Sequence, residues 1–329
     1  MSTPLRNPIA FLLLPQFTVI ALSSAIEPLR IANRYVQRKY QWRLLSLDGR
    51  PVPDHNGMLI QTDGSVDDCG PLGTLIVCSD LRPERFYSAN LKRWLHALDR
   101  AGTTLGGLDT GCLILARAGL LRGCRVTMHW EVIDAVRERF PEIDLRPTLF
   151  EIDSRRLSSA GGTAVLDMML ALVALDHGDT VARRVAEHCL HERIRSGASG
   201  QRMPLAVRSG AHHPKLLKAL RLLEDGEPQQ PRTVAALAAE LQVSQRHLLR
   251  LFRQQLAESP QRYQLRVRLE RARGLLMQTD LPVTQIAQAC GFQSTAHFAR
   301  AYRNRFGKPP SMTRRASAAP APLTIDRDR

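Results

Sequence analysis

The chain has 329 residues, 44% of them hydrophobic, and carries 46 Lys+Arg against 31 Asp+Glu, a formal net charge of +15. That length suggests two domains or more, and that apolar content excludes a disordered chain. The six cysteines (Cys69, Cys78, Cys112, Cys124, Cys189 and Cys290) form no CxxC pair and no zinc spacing, so neither a disulfide framework nor a metal site is expected.

At the N-terminus, Arg6 followed by IAFLLLPQFTVIALSSA imitates a signal peptide. Pro15 and Gln16 interrupt the run, and residues 9–14 read instead as the first strand of a sheet. No stretch reaches the roughly 18 apolar residues of a membrane span. Further strand candidates are 42–47, 74–78, 103–108, 125–128 and 148–152; helix candidates are 24–38, 84–100, 111–118, 131–140 and 162–176. This alternation predicts an α/β fold, a doubly wound parallel sheet covered on both faces. Ligands of such sheets gather at the C-terminal strand ends. Those ends carry Pro15, Ser79-Asp80, Asp109-Thr110-Gly111 and His129-Trp130.

Beyond the sheet come two loop-like stretches, RSGASGQ (195–201) and EDGEPQQPR (224–232), with a short amphipathic helix at 213–223 between them. Two helix-turn-helix patterns follow, at 233–260 and 283–310. Leu237-Ala238 answers Ile286-Ala287, Val243 answers Phe292, Leu248 answers Phe298, Arg250 answers Arg300, and Phe252 answers Tyr302. The expected domains are 1–195, a linker region 196–231, a DNA-binding domain 232–315, and a fraying Ala/Pro-rich tail 316–329.

A helix fits the B-DNA major groove, so the second helix of each unit is expected there, its N-terminal half against base edges. With Leu248, Leu251, Phe252 and Leu256 packed inward, Gln245, Arg246 and Arg250 point outward in the first unit. Ser294, Thr295, His297 and Arg300 do so in the second. Arg253, Arg303, Arg305 and Lys308 read as phosphate contacts, which position without specifying. Segment 260–277, with apolar residues near helical spacing, is the expected rigid spacer. The competing reading is an ordinary helical domain solvated by arginines. Charge argues against it: residues 232–315 hold 15 basic and 4 acidic side chains, a net of +11.

The segment GGLDTGCLILARAGLLRGCRVTMHW (106–130) resembles the class I glutamine-amidotransferase-like domain, the fold shared with the DJ-1/PfpI superfamily. AIEPLRIANR (25–34) resembles its first helix, and RRLSSAGGTAVLDMMLALVALDHG (155–178) its closing strand and helix. The paired C-terminal motifs resemble the AraC/XylS family. The combination is similar to the GlxA-type branch of its transcriptional regulators over nearly the whole chain, and to those that sense arginine or betaine- and carnitine-like quaternary amines. The resemblance implies a flavodoxin-like/DJ-1-like sensing sheet followed by an all-α DNA-binding domain.

Enzymatic members of that superfamily carry a cysteine nucleophile at the strand-to-helix elbow, where this chain has Asp109. Thiolate chemistry is absent there, and His129, at the place of the family's histidine, has nothing to activate. Cys112 is either a rescue nucleophile in the first turn of a helix or a small apolar residue packed on the sheet. By the resemblance, Glu27 approaches the elbow, so Glu27, Asp109, Thr110, His129 and Trp130 are expected to line one ligand site. Two close carboxylates are unfavourable unless one is protonated or a cation lies between them. Trp130 adds a cation–π face if it turns inward. The alternatives are that Glu27 caps a helix or pairs with Arg30, that Asp109 caps the helix from Gly111, and that Trp130 is core.

These residues predict a cytoplasmic transcriptional regulator, without catalytic residues, cofactor or metal. Its expected partners are promoter DNA, a small-molecule effector, RNA polymerase and a second copy in a homodimer, with no membrane. The rival reading is a hydrolase or amidase activity retained in the N-terminal domain.

Overall fold

Five consecutive apolar residues, Ile9–Leu13, build the first strand, and all five are fully buried. The computed structural model describes residues 5–80, 82–226, 230–279 and 281–318. They form two units that divide between Gln201 and Arg202. In chain order the strands of the first unit are β1 (Ile9–Leu13), β2 (Trp42–Ser46), β3 (Val52–Pro53), β4 (Leu59–Ile60), β5 (Gly64–Ser65), β6 (Thr74–Ser79), β7 (Thr104–Asp109), β8 (Arg125–Val126), β9 (Asp144–Leu145), β10 (Phe150–Asp153) and β11 (Arg156–Ser159). Its helices are α1 (Val19–Ala32), α2 (Ala89–Arg100), α3 (Cys112–Arg117), α4 (Ile133–Arg139), α5 (Ala164–His177) and α6 (Asp179–His188).

The main sheet has the order β10-β11-β7-β6-β1-β2-β5, parallel throughout except for the antiparallel edge strand β10. Side chains alternate across a strand, and the two cores follow from that. Ile9, Phe11, Leu13, Ile76 and Cys78 face α1, α5 and α6. Ala10, Leu12, Leu14, Leu75 and Val77 face α2, α3 and α4. A strand buried on both faces reads as an unbroken apolar run rather than an alternating one, which is the pattern of Ile9–Leu13.

Several elements differ from the expected ones. The strand expected at 125–128 stops at Val126 and pairs with β9 outside the main sheet. The Thr127 N–H is taken by the Ser158 hydroxyl at 2.9 Å instead of by a ladder. Helix α1 begins earlier than 24–38, and it ends earlier where Asn33 binds the backbone of Tyr40 and turns the chain back. The helix expected at 84–100 is split: a 3₁₀ turn, Pro83–Phe86, precedes α2, which the Ser88 hydroxyl caps by accepting the Leu91 N–H. The RSGASGQ stretch belongs to the first unit rather than to a linker. Arg195 donates to the fully buried Asp167 at 2.7 Å, and the Gln201 amide donates to the Thr127 hydroxyl and to the Met128 and Thr148 carbonyls. Among the described residues no helix is long and apolar enough to cross a membrane.

The second unit is helical: α7 (Leu205–Ser209), α8 (Pro214–Glu224), α9 (Val234–Glu240), α10 (Gln245–Leu256), α11 (Pro260–Gln278), α12 (Val283–Ala289), α13 (Thr295–Phe306) and α14 (Pro310–Ala318). Helix α11 covers the segment expected to act as a spacer. Its 19 residues make about 28 Å of helix at 1.5 Å per residue. The first helix pair packs Leu237, Leu248 and Phe252 with α8 and Tyr263. The second pair is held by an aromatic series, Phe292, Phe298, Tyr302 and Phe306, with ring centroids 4.5–5.5 Å apart. Most of the tail expected from Ala316, and residues 227–229 of the expected linker, lie outside the described residues.

Glu224, at the end of α8, joins α7 to α11. Arg208 donates to it at 3.2 Å, and Tyr263 donates its hydroxyl. Burial works to raise the Glu224 carboxyl, but the bonds from Arg208 and Tyr263 outweigh it and hold the group below its usual range. A depressed folded-state value gives stability that is present above the unfolded carboxylate range near 4.3 and lost as pH falls through the folded value. Glu224→Gln is therefore expected to cost about 1.5–3 kcal/mol at neutral pH. On acidification the wild-type Tm should fall toward that of the variant; parallel Tm curves would contradict this role.

Candidate nucleic-acid interface and buried carboxylate site

Each helix expected to read DNA, α10 and α13, is set by a serine cap. The Ser244 hydroxyl accepts the His247 N–H at 3.2 Å, and the Ser294 hydroxyl accepts the His297 N–H at 3.4 Å. Both helices end on a left-handed residue, Ala257 (φ +53°) and Gly307 (φ +73°). The turn inside each motif is left-handed too, at Gln242 and Gly291. Between these fixed ends the burial is one-sided. Leu248, Leu251 and Phe252 are buried on α10, and Phe298 and Tyr302 on α13. The opposite faces expose Gln245, Arg246, Arg250 and Arg253 in the first motif and Ser294, Thr295, His297, Arg300 and Arg303 in the second.

Not every arginine of this unit faces outward. Arg268 donates to the Cys290 carbonyl at 2.7 Å and stacks 4.2 Å over the Phe292 ring, tying α11 to the second motif. Arg305, expected on a phosphate, is paired with Glu270 at 3.1 Å. The Ser294 hydroxyl also serves its own helix as a cap.

In the first unit the strand-to-helix elbow is intact without the nucleophile. Asp109 ends β7 with φ +60°, a left-handed conformation that Asp tolerates better than most residues. Its register partner at the end of β6 is Ser79. The turn needs close backbone approach. A Cβ on Gly111 would run into the Val77 carbonyl oxygen, and one on Gly161 would stand 2.6 Å from the Asp109 carboxylate. Gly111→Ala meets rigid backbone, so it is expected to cost about 3 kcal/mol, read as a lower Tm; a Tm within a degree of wild type would contradict the tight elbow.

Asp109 does not cap α3, whose N-terminus has no side-chain cap. Burial pushes its carboxyl well above the ordinary range, and the charges of Asp80 and Glu131 push the same way. The Thr18 hydroxyl, with no other partner among the described residues, draws it back only in part. Asp80 is raised by burial and opposed by His55, whose Nδ1 is 3.2 Å away. His129 is lowered by burial against the pull of Glu131 and Asp80, so it is neutral near pH 7 and offsets little of this negative charge.

Of the five residues expected at the ligand site, Asp109 and Thr110 are adjacent at the elbow, and Asp109 and His129 both feel the charges of Asp80 and Glu131. The Thr110 hydroxyl is already engaged by Ser79 at 3.0 Å and by the Asp80 carbonyl. Trp130 is 41% exposed, its ring centroid 5.5 Å from that of His129. Glu27 is a correction. It pairs with Arg30 at 2.6 Å on the half-exposed face of α1, near Cys189, the i,i+3 spacing at which side chains on one helix meet. The carboxylates that do act on Asp109, Asp80 and Glu131, adjoin motifs visible in the sequence. His55 comes from the β3–β4 hairpin, which has no periodic signal.

Cys112 is fully buried, with Sγ directed at the Gly107 carbonyl, and burial pushes its thiol up to about 12. It packs as a small apolar residue rather than as a thiolate.

Residues 237–316 match a helix-turn-helix domain model. The chain is 45% identical over 312 residues to the HTH-type transcriptional regulator CdhR of Pseudomonas aeruginosa, covering 95% of this chain and 93% of that one. The crystal structure of an AraC family transcriptional regulator from Pseudomonas putida is 32% identical, with a TM-score of 0.52, covering 55% of this chain and 98% of its own. A ThiJ/PfpI family protein from Pseudomonas syringae shares the fold, with a TM-score of 0.51 at 21% identity, covering 63% of this chain and 82% of that one.

Proposed function

The chain belongs to the AraC family of HTH-type transcriptional regulators, in the branch whose N-terminal domain has the DJ-1/PfpI fold, and from that premise we propose that a small cationic metabolite controls it. The observation that carries this reading is Asp109. It is a buried carboxyl at a left-handed elbow, acted on by two further carboxylates beside a histidine that burial keeps neutral. Such a group is stabilised either by a proton or by a cation. A guanidinium or quaternary ammonium supplies the cation, and the ring of Trp130 beside His129 offers it an aromatic face. Arginine, betaines and carnitine are the candidate effectors.

On the DNA side, Gln245, Arg246, Arg250, Ser294, Thr295, His297 and Arg300 read base edges, while Arg253 and Arg303 hold phosphates. The regulator works in the cytoplasm as a homodimer on repeated half-sites of promoter DNA. It activates through RNA polymerase, as the family suggests, and the effector shifts the population of the competent state. The rival hydrolase or amidase reading would run through Cys112, His129 or Asp109; for Cys112 it needs a thiolate, and burial of that sulfur opposes it.

Thermal unfolding of the full chain against arginine, betaine, carnitine and neutral controls tests the effector class. At about 100 times its dissociation constant a true effector adds about 2.7 kcal/mol, several degrees of Tm. A shift from one cationic compound alone is expected. A shift only with neutral or anionic compounds would overturn the cationic reading.

A further inference from the structure

Leu249 is 42% exposed on α10 and lies outside the apolar core of its unit. Gln245 and Arg246 stand four and three residues before it and Arg253 four after, all exposed, and residues at those spacings are neighbours on the helix surface. Of the buried side chains of the same helix, Leu248 and Leu251 point away from it, while Phe252, three residues on, marks the edge of the core beside it. An apolar side chain thus stands among polar ones on the outward face, in the half of the helix that approaches base edges. One group in the major groove calls for an apolar partner, the C5-methyl of thymine. The corresponding position of the second motif is Ala299, three carbons shorter and only half exposed.

We propose that Leu249 reads a thymine methyl group in the half-site bound by the first helix-turn-helix motif, and that the second motif makes no equivalent contact. This rests on the DNA-reading faces assigned above. In the test, the full chain and Leu249→Ala each select sites from a randomised DNA pool. Every thymine of the wild-type site is then replaced in turn by uracil, which lacks only the methyl. One replacement is expected to weaken wild-type binding about 4-fold, as for one methyl group removed from water, and to leave Leu249→Ala unaffected. Leu249→Gln should move the preference at that position toward adenine. Equal responses of wild type and Leu249→Ala at every thymine would overturn the inference while leaving the DNA-reading faces standing. A lowered Tm in Leu249→Ala would also overturn it, by placing the side chain in the packing of the unit. A chain that selects no sequence at all would overturn the reading faces and the inference together.

Discussion

Arg250→Ala and Arg300→Ala are each expected to weaken operator binding by about 1–3 kcal/mol, roughly 5- to 150-fold, the range for losing one bidentate base contact. Both side chains are exposed on the faces opposite Phe252 and Tyr302, so neither truncation opens a cavity and the Tm should stay within a degree of wild type. The Arg250 contact with His247 Nδ1, at 3.1 Å, lies on the same exposed face and adds little to stability. Arg253→Ala serves as the contrast. A lost phosphate contact weakens all sequences alike and lowers the salt dependence of binding by about one counterion. Unchanged operator affinity in both Arg250→Ala and Arg300→Ala would remove α10 and α13 as reading helices.

Asp109→Asn is expected to abolish the effector response, a loss of about 2.7 kcal/mol of stabilisation at 100-fold saturation. Asn keeps the shape of Asp and tolerates the left-handed backbone, so the elbow survives the change. The pH dependence separates the charge from the shape. The Asp109 carboxyl is raised in the folded chain. Above the unfolded carboxylate range near 3.9, the unfolded chain has released a proton that the folded chain still holds. Folded-state stability therefore falls as pH rises from that range through the folded value. Asn has no proton to lose, so without effector the Tm of wild type should drop relative to Asp109→Asn between pH 4 and pH 8. A cationic effector binds the ionised carboxylate, so its affinity for wild type should rise over the same interval. A Tm difference independent of pH would contradict the buried-carboxyl account.

The parts of this molecule that were legible in the sequence are those written as local period. Ile9–Leu13 announces a strand buried on both faces, and the spacing of Leu248, Leu251 and Phe252 fixes which side of α10 is outward. The elbow was legible through the resemblance that put Asp109 at the nucleophile's place; that Gly111 is required there, against the Val77 carbonyl, became visible only in the fold. The carboxylate neighbours of Asp109 were harder to see. Asp80 reaches it because β6 and β7 are adjacent and in register, and sheet order is set by long-range packing that no window of sequence contains. Glu27 illustrates the same limit from the other side: helix spacing to Arg30 decided its partner, and resemblance alone suggested a different one. The boundary after Gln201 was hidden for a related reason. A small, polar stretch reads as a linker until the buried carboxylate of Asp167 anchors Arg195.

The most direct measurement is the affinity of the full chain for its selected DNA site, followed by fluorescence anisotropy across a salt series, with and without the cationic compound that raises the Tm. The account predicts site-specific binding that weakens steeply with salt and changes by about 5- to 150-fold when the effector is added, with that change lost in Asp109→Asn. Binding that is indifferent to sequence, or that responds equally to the effector in wild type and Asp109→Asn, would contradict it.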